Sequence, residues 1–167
     1  MQVEAINPRL VKFVWAALIF FAWSLIQGIV QGALPSVRAL LEAGPGSMLG
    51  SVHTHVGLMG WMSLALIAAI YYMVPLLSGK SIVWPKLIEW IFWIFVICTV
   101  GDSVLKIIGG ITAGSAFAAG VSGAALDSIV NAYAMPAGIM CTLSAVAGIM
   151  FVVQILVSLS QGSRAAG

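Results

Sequence analysis

Long apolar runs separated by short polar clusters make up almost the whole chain. A membrane span needs about 20 predominantly apolar residues to cross a ~30 Å hydrocarbon core. Four runs reach that length, at roughly 11–32, 50–77, 87–110 and 129–159. The pattern predicts an all-α integral membrane protein: one transmembrane domain over residues 1–167, built as a four-transmembrane-helix bundle. The first run exceeds the apolar core of a secretory signal and no clear cleavage site follows it, so it is expected to be retained.

Between the first two runs, "PSVRALLEAGPGS" places Val37, Leu40 and Leu41 opposite Arg38 and Glu42. That spacing predicts a short surface helix starting at Pro35 and ending at Gly44-Pro45-Gly46. Run two closes on Tyr71-Tyr72-Met73-Val74-Pro75, where the aromatics suit an interfacial belt and Pro75 suits helix termination. The segment "GGITAGSAFAAGVSGAALDS" reads as a small-residue link between runs three and four, a flexible loop or a packed re-entrant stretch. In run four, Pro136 falls near the start, and Ala137, Cys141, Ala145 and Gly148 form a helix-contact face.

Composition makes the membrane assignment firm. The chain is 62% hydrophobic and 7% charged, against roughly 25% charged residues in a soluble domain. Its net charge of +2 excludes nucleic acid as a natural partner. Cys98 and Cys141 lie within apolar runs and behave as small hydrophobes. Arg9, Lys12, Lys80, Lys86 and Arg164 all fall on one side if both termini are cytoplasmic, leaving Arg38 alone on the other. The expectation is a multi-pass protein of the cell inner (cytoplasmic) membrane.

Polar residues inside the runs are few. Gln27 and Gln31 suit interhelical hydrogen bonds or a polar ligand edge. Asp102 and Lys106, four apart on one helical face, suit a mutually neutralising pair or a proton or propionate role. No nucleotide loop, zinc cluster, carboxylate dyad or nucleophile–base pair is visible, and no catalytic residue is assigned.

The chemistry concentrates in the chain's two histidines, His53 and His55, at the outer end of run two. At about 100° per residue their side chains diverge by about 200°, so they cannot share one metal and must look into different crevices. Imidazole in an apolar crevice is a common axial ligand of haem iron. Gly57 and Gly60 follow and would thin the helix where a flat macrocycle approaches. The plain alternative is that both rings cap the helix or bond loop carbonyls.

"HTHVGLMGWMSLALIAAIYYMVPLL" resembles the tenth transmembrane helix of the large subunit of haem–copper oxygen reductases, the C-type oxidases and nitric oxide reductases above all. In that family an H-x-H motif opens the helix, a G-x-x-G-W-like segment follows, and a Tyr-Tyr-x-Val-Pro-like end closes it. "EWIFWIFVICTVGDSVLKIIGGITAG" is weakly similar to the next helix. The resemblance implies a haem–copper oxidase subunit I-like arc of four helices, matching the family's last four. It also implies that His53 faces one haem pocket and His55 another. The family's copper ligands lie on helices with no counterpart here, so oxygen or nitric oxide reduction by this chain alone is not expected.

One histidine per crevice leaves each haem short of an axial ligand within a monomer. In a cyclic homo-oligomer His53 of one copy meets His55 of the next, giving about one haem b per protomer through a head-to-tail interface. The family's pseudo-three-fold outline favours a homotrimer over a dimer. The expected function is a membrane b-type cytochrome carrying electrons in a respiratory chain, with a quinol or a redox protein as partner. Arg38 is a candidate propionate contact. The alternatives are a haem-containing oxidoreductase or gas-sensing subunit with an open iron site, and a cofactor-free structural subunit of a larger complex.

Overall fold

The structure, a computed structural model, describes residues 8–42 and 44–161. Arg164, one of the basic residues used for orientation, lies outside them. Six α-helices follow one another: α1 Pro8–Ala33, α2 Pro35–Glu42, α3 Ser47–His55, α4 Ser63–Ser78, α5 Pro85–Ala118 and α6 Gly123–Ser160. A 3-10 turn, Gly44–Gly46, precedes α3, and a π-helical turn, Val56–Met62, joins α3 to α4. Residues 44–78 therefore form one long helix with a widened middle. Four helices are long and apolar enough to cross a membrane: Pro8–Ala33, Gly44–Ser78, Pro85–Ala118 and Gly123–Ser160.

The small-residue segment is a correction. Instead of a loop or re-entrant stretch, α5 continues to Ala118 and α6 begins at Gly123, leaving a turn of only four residues. The physical reason is alanine's high helix propensity, which sustains the helices where large apolar residues run out. Pro136 accordingly lies well inside α6 rather than near its start. Pro75 likewise does not end its helix. α4 runs on to Ser78 and stops at Gly79, whose left-handed φ of 65° closes the terminus with an N–H bond to the Pro75 carbonyl. The short helix at Pro35–Glu42 lies where the apolar spacing predicts.

Burial is inverted relative to a water-soluble domain. Trp15, Ile19, Leu66, Ile97, Ile149 and Leu156 are more than half exposed, while Thr99, Asp102, Ser103, Ser144, Gln154 and Ser158 are buried. A surface of this kind fits hydrocarbon, not water. α5 packs along α6 for much of its length and, at the histidine end, against α3 and the π turn. Towards the opposite end α4 leans on α1 and touches α6. Aromatic rings fill the space between α4 and α5 there. Phe13 meets Tyr71 and Phe92 edge-on at centroid distances of 6.2 and 4.8 Å, and Tyr71 meets Phe151 at 5.1 Å.

Close approach at the histidine end depends on glycine. A Cβ on Gly110 of α5 would stand 2.7 Å from the Leu49 backbone nitrogen of α3. Small residues at such contacts are how helices associate in lipid, where burial alone drives nothing. The opposite end is closed by polar bonds. Tyr71 donates to Gln154 Oε1 at 2.6 Å, and Gln154 Nε2 donates to the carbonyls of Val83 and Trp84 at 2.6 and 3.1 Å. Trp84 adopts a left-handed φ of 48° at the start of α5, a strained conformation for a large side chain that these bonds hold in place.

Candidate functional site

His53 and His55 both sit in the regular α-helical segment α3, just before the helix widens at Val56. The α-helical angle of about 100° per residue therefore applies between them, and their rings leave on opposite flanks. His53 is exposed and His55 half-buried.

Each ring is held by a backbone carbonyl. His53 Nδ1 lies 2.8 Å from the Ser24 carbonyl oxygen of α1. His55 Nδ1 lies 2.9 Å from the Ser51 carbonyl oxygen, one turn back on α3. A carbonyl only accepts, so Nδ1 carries a proton in both rings, and in the neutral ring the lone pair then sits on Nε2. Metal-bound histidines are oriented in this manner, with the second ring nitrogen donating to a carbonyl or carboxylate.

The seat of His53 is built by residues that no local pattern announces. A Cβ on Gly28 would stand 3.0 Å from His53 Cε1 and 3.2 Å from Nδ1, so the imidazole lies on the bare backbone of α1. Ser24 Oγ adds weaker bonds at 3.3 Å, to His53 Nδ1 and to its carbonyl oxygen. Ser24 and Gly28 are four apart on α1, a spacing that puts both on one face, but sequence alone does not say which helix that face meets.

Gly57 and Gly60 do thin the second long helix, and the space goes to α1. A Cβ on Gly57 would stand 3.1 Å from Ser24 Oγ, and one on Gly60 would stand 2.5 Å from Phe20 Cγ. Gly57, against Ser24, thereby supports the His53 seat.

Arg38 is exposed on α2 and turns its guanidinium to the Gly32 carbonyl, near the C-terminus of α1. A cation there suits the exposed carbonyls and the negative end of the helix dipole. Gln31 Nε2 donates to the Leu49 carbonyl at 2.8 Å, tying α1 to α3. Gln27 lines an apolar cleft of about 380 Å³ with Val30, Val37, Leu40, Leu49 and Ile107. Asp102 and Lys106 form the spacing-predicted ion pair, Nζ 2.9 Å from the carboxylate. Cys98 and Cys141 are free thiols.

Among the described residues no three His, Cys, Asp or Glu gather into a metal-ion site. An axial haem ligand asks for less: one imidazole, its Nε2 unprotonated and pointing off the helix.

No family model matches the chain, and no curated protein matches it significantly.

Proposed function

We propose that the protein is a membrane b-type cytochrome in which His53 of one copy and His55 of its neighbour ligate haem across each interface of a homo-oligomer, a trimer in preference to a dimer. The observation that supports the reading is the pair of carbonyl-held imidazoles: Ser24 O and Ser51 O each engage an Nδ1 and leave the Nε2 of a neutral ring as the available ligand atom. Two such rings on opposite flanks cannot serve one iron. Neighbouring copies supply the missing ligand. The four helices would then repeat as the arcs that the resemblance to the haem–copper large subunit implies.

Haem held by two imidazoles supplies one-electron transfer without an open coordination position. The residues of this chain do the rest. Ser24 O and Ser51 O set the tautomer and the ring planes. Gly28 lets the His53 ring lie against α1, which limits its rotation. Arg38 is the cation available to a propionate if its hold on the Gly32 carbonyl is exchanged. Placing both termini in the cytoplasm, as the basic residues favour, would set the site near the outer face of the inner membrane.

The test is optical. Protein purified from haem-replete cells should show a six-coordinate, low-spin b-type spectrum on reduction, lost in both His53→Ala and His55→Ala. A carbon monoxide shift in the reduced wild type would favour the open-site alternative. A colourless, stable protein would remove haem altogether.

A further inference from the structure

Partway along α5 runs a polar stripe that neither the histidines nor the helix contacts use. Thr99, Asp102, Ser103 and Lys106 recur at three- and four-residue spacings, one face of a helix. Thr99 and Asp102 keep 3% of their surface and Ser103 none. Lys106 Nζ lies 2.9 Å from both carboxylate oxygens but makes a well-aligned hydrogen bond only to Oδ2. Thr99 Oγ1, Asp102 Oδ1 and Ser103 Oγ are buried with no hydrogen-bond partner in the protein. One such atom is unusual, and three within five residues call for something that completes them.

The register shows what the stripe faces. Gly110, on the same side of α5 as Thr99 and Ser103, abuts Leu49 of α3. α5 runs antiparallel to the second long helix, so equal rise sets Ser103 level with about Val56 and Thr99 level with about Gly60. That is the π turn, Val56–Met62, a widened form of helix found disproportionately at functional sites. Val56 is apolar and Gly60 turns its Cα face to Phe20 of α1, so neither completes the hydrogen bonds of the stripe.

The chemistry selects the guest. It must donate to Asp102 Oδ1 and can accept from the two hydroxyls. A cation meets the Lys106 ammonium, already 2.9 Å from the carboxylate, and an anion meets the carboxylate itself. A neutral group that both donates and accepts fits all three atoms. We propose that Thr99, Asp102 and Ser103 form an internal water site beside the π turn, in which water completes the two hydroxyls and the carboxylate oxygen that Lys106 leaves without an aligned hydrogen bond. The other described carboxylates, Glu42, Glu89 and Asp127, lie near helix ends, so this one alone would reach water from within the core of the bundle.

The site does not depend on haem, and the experiment is the same with or without it. Water-edited solid-state NMR of the full chain in lipid bilayers reads transfer from water to each residue. Thr99 and Ser103 should build up several-fold faster than the fully buried Phe13 and Ile91. Build-up as slow as theirs would overturn the proposal, since the hydroxyls would then be turned onto their own helix. Thr99→Val supplies an independent sign. Removing an orphan hydroxyl raises stability, whereas removing a water ligand lowers it, by roughly 2–4 °C in Tm for a chain of this size. A Tm equal to or above the wild type overturns the site as well.

Discussion

At the scale of single residues, the seat of His53 separates two neighbours that a contact list would treat alike. The acceptor for Nδ1 is the Ser24 carbonyl at 2.8 Å, whereas the Ser24 hydroxyl stands off at 3.3 Å. Ser24→Ala keeps the carbonyl, so haem content should change by less than about twofold, in line with a weak neutral hydrogen bond. Gly28→Val is the opposite case. A branched side chain there occupies the space of the imidazole, whose Cε1 already lies 3.0 Å from the position of a Cβ. The ring must swing off α1, and the haem-to-protein ratio should fall at least about tenfold, the effect of roughly 1.4 kcal/mol in ligand geometry, while circular dichroism still reports a helical protein. Equal haem loading in Gly28→Val and wild type would mean that His53 does not ligate from this seat. Of this seat, the sequence makes only the histidines legible. Their i,i+2 spacing is local, and so is the divergence it forces. Ser24 and Gly28 lie 29 and 25 residues upstream, on another helix, and only the tertiary packing tells which face of α1 receives the ring.

At the scale of elements, apolar length alone located all four long helices, because hydrocarbon thickness sets a requirement that composition either meets or fails. Their ends were less legible. Gly109 to Gly120 reads as flexible when glycine is counted, yet alanine and register-compatible packing carry α5 to Ala118. The π turn left no readable mark, since Gly57 and Gly60 allow both a thin helix and a close neighbour. Their role is testable. Gly60→Ala places a methyl 2.5 Å from Phe20 Cγ and should destabilise the fold by about 1–3 kcal/mol, the usual cost of overpacking. Phe20→Ala destabilises on its own, but in that background Gly60→Ala should cost much less than in the wild type, a coupling read by denaturant titration in bicelles. At the other end, Gln154→Leu removes three hydrogen bonds. At about 0.6–1.7 kcal/mol for a bond inside a membrane protein, the variant should lose about 2 kcal/mol or more in the same titration. It should keep its haem, because the Gln154 network and the histidines stand at opposite ends of the second long helix.

At the scale of the whole molecule, the question is whether one copy can complete a site. Within a protomer the two rings leave α3 on opposite flanks, and among the described residues there are no other histidines. If neighbouring copies complete each axial pair, the site is divided between chains in a definite direction, His53 from one and His55 from the next. His53→Ala and His55→Ala chains then each lose every site when expressed alone. Expressed together, they should not. Wherever a chain that keeps His53 precedes one that keeps His55, an intact pair reappears, and random mixing in a head-to-tail ring restores about one quarter of the interfaces. Differently tagged copies, captured through both tags in sequence, should carry the low-spin spectrum of the wild type at about one third of its intensity in a trimer, because every mixed ring then keeps one intact pair. Sites built within one chain give no recovery, because no mixed assembly contains a protomer with both histidines. Sites built from two copies of the same histidine leave one single variant coloured before any mixing. The three arrangements thus give three different patterns across the two single variants and the mixture, and only a His53-to-His55 pairing across a head-to-tail interface gives the directional one.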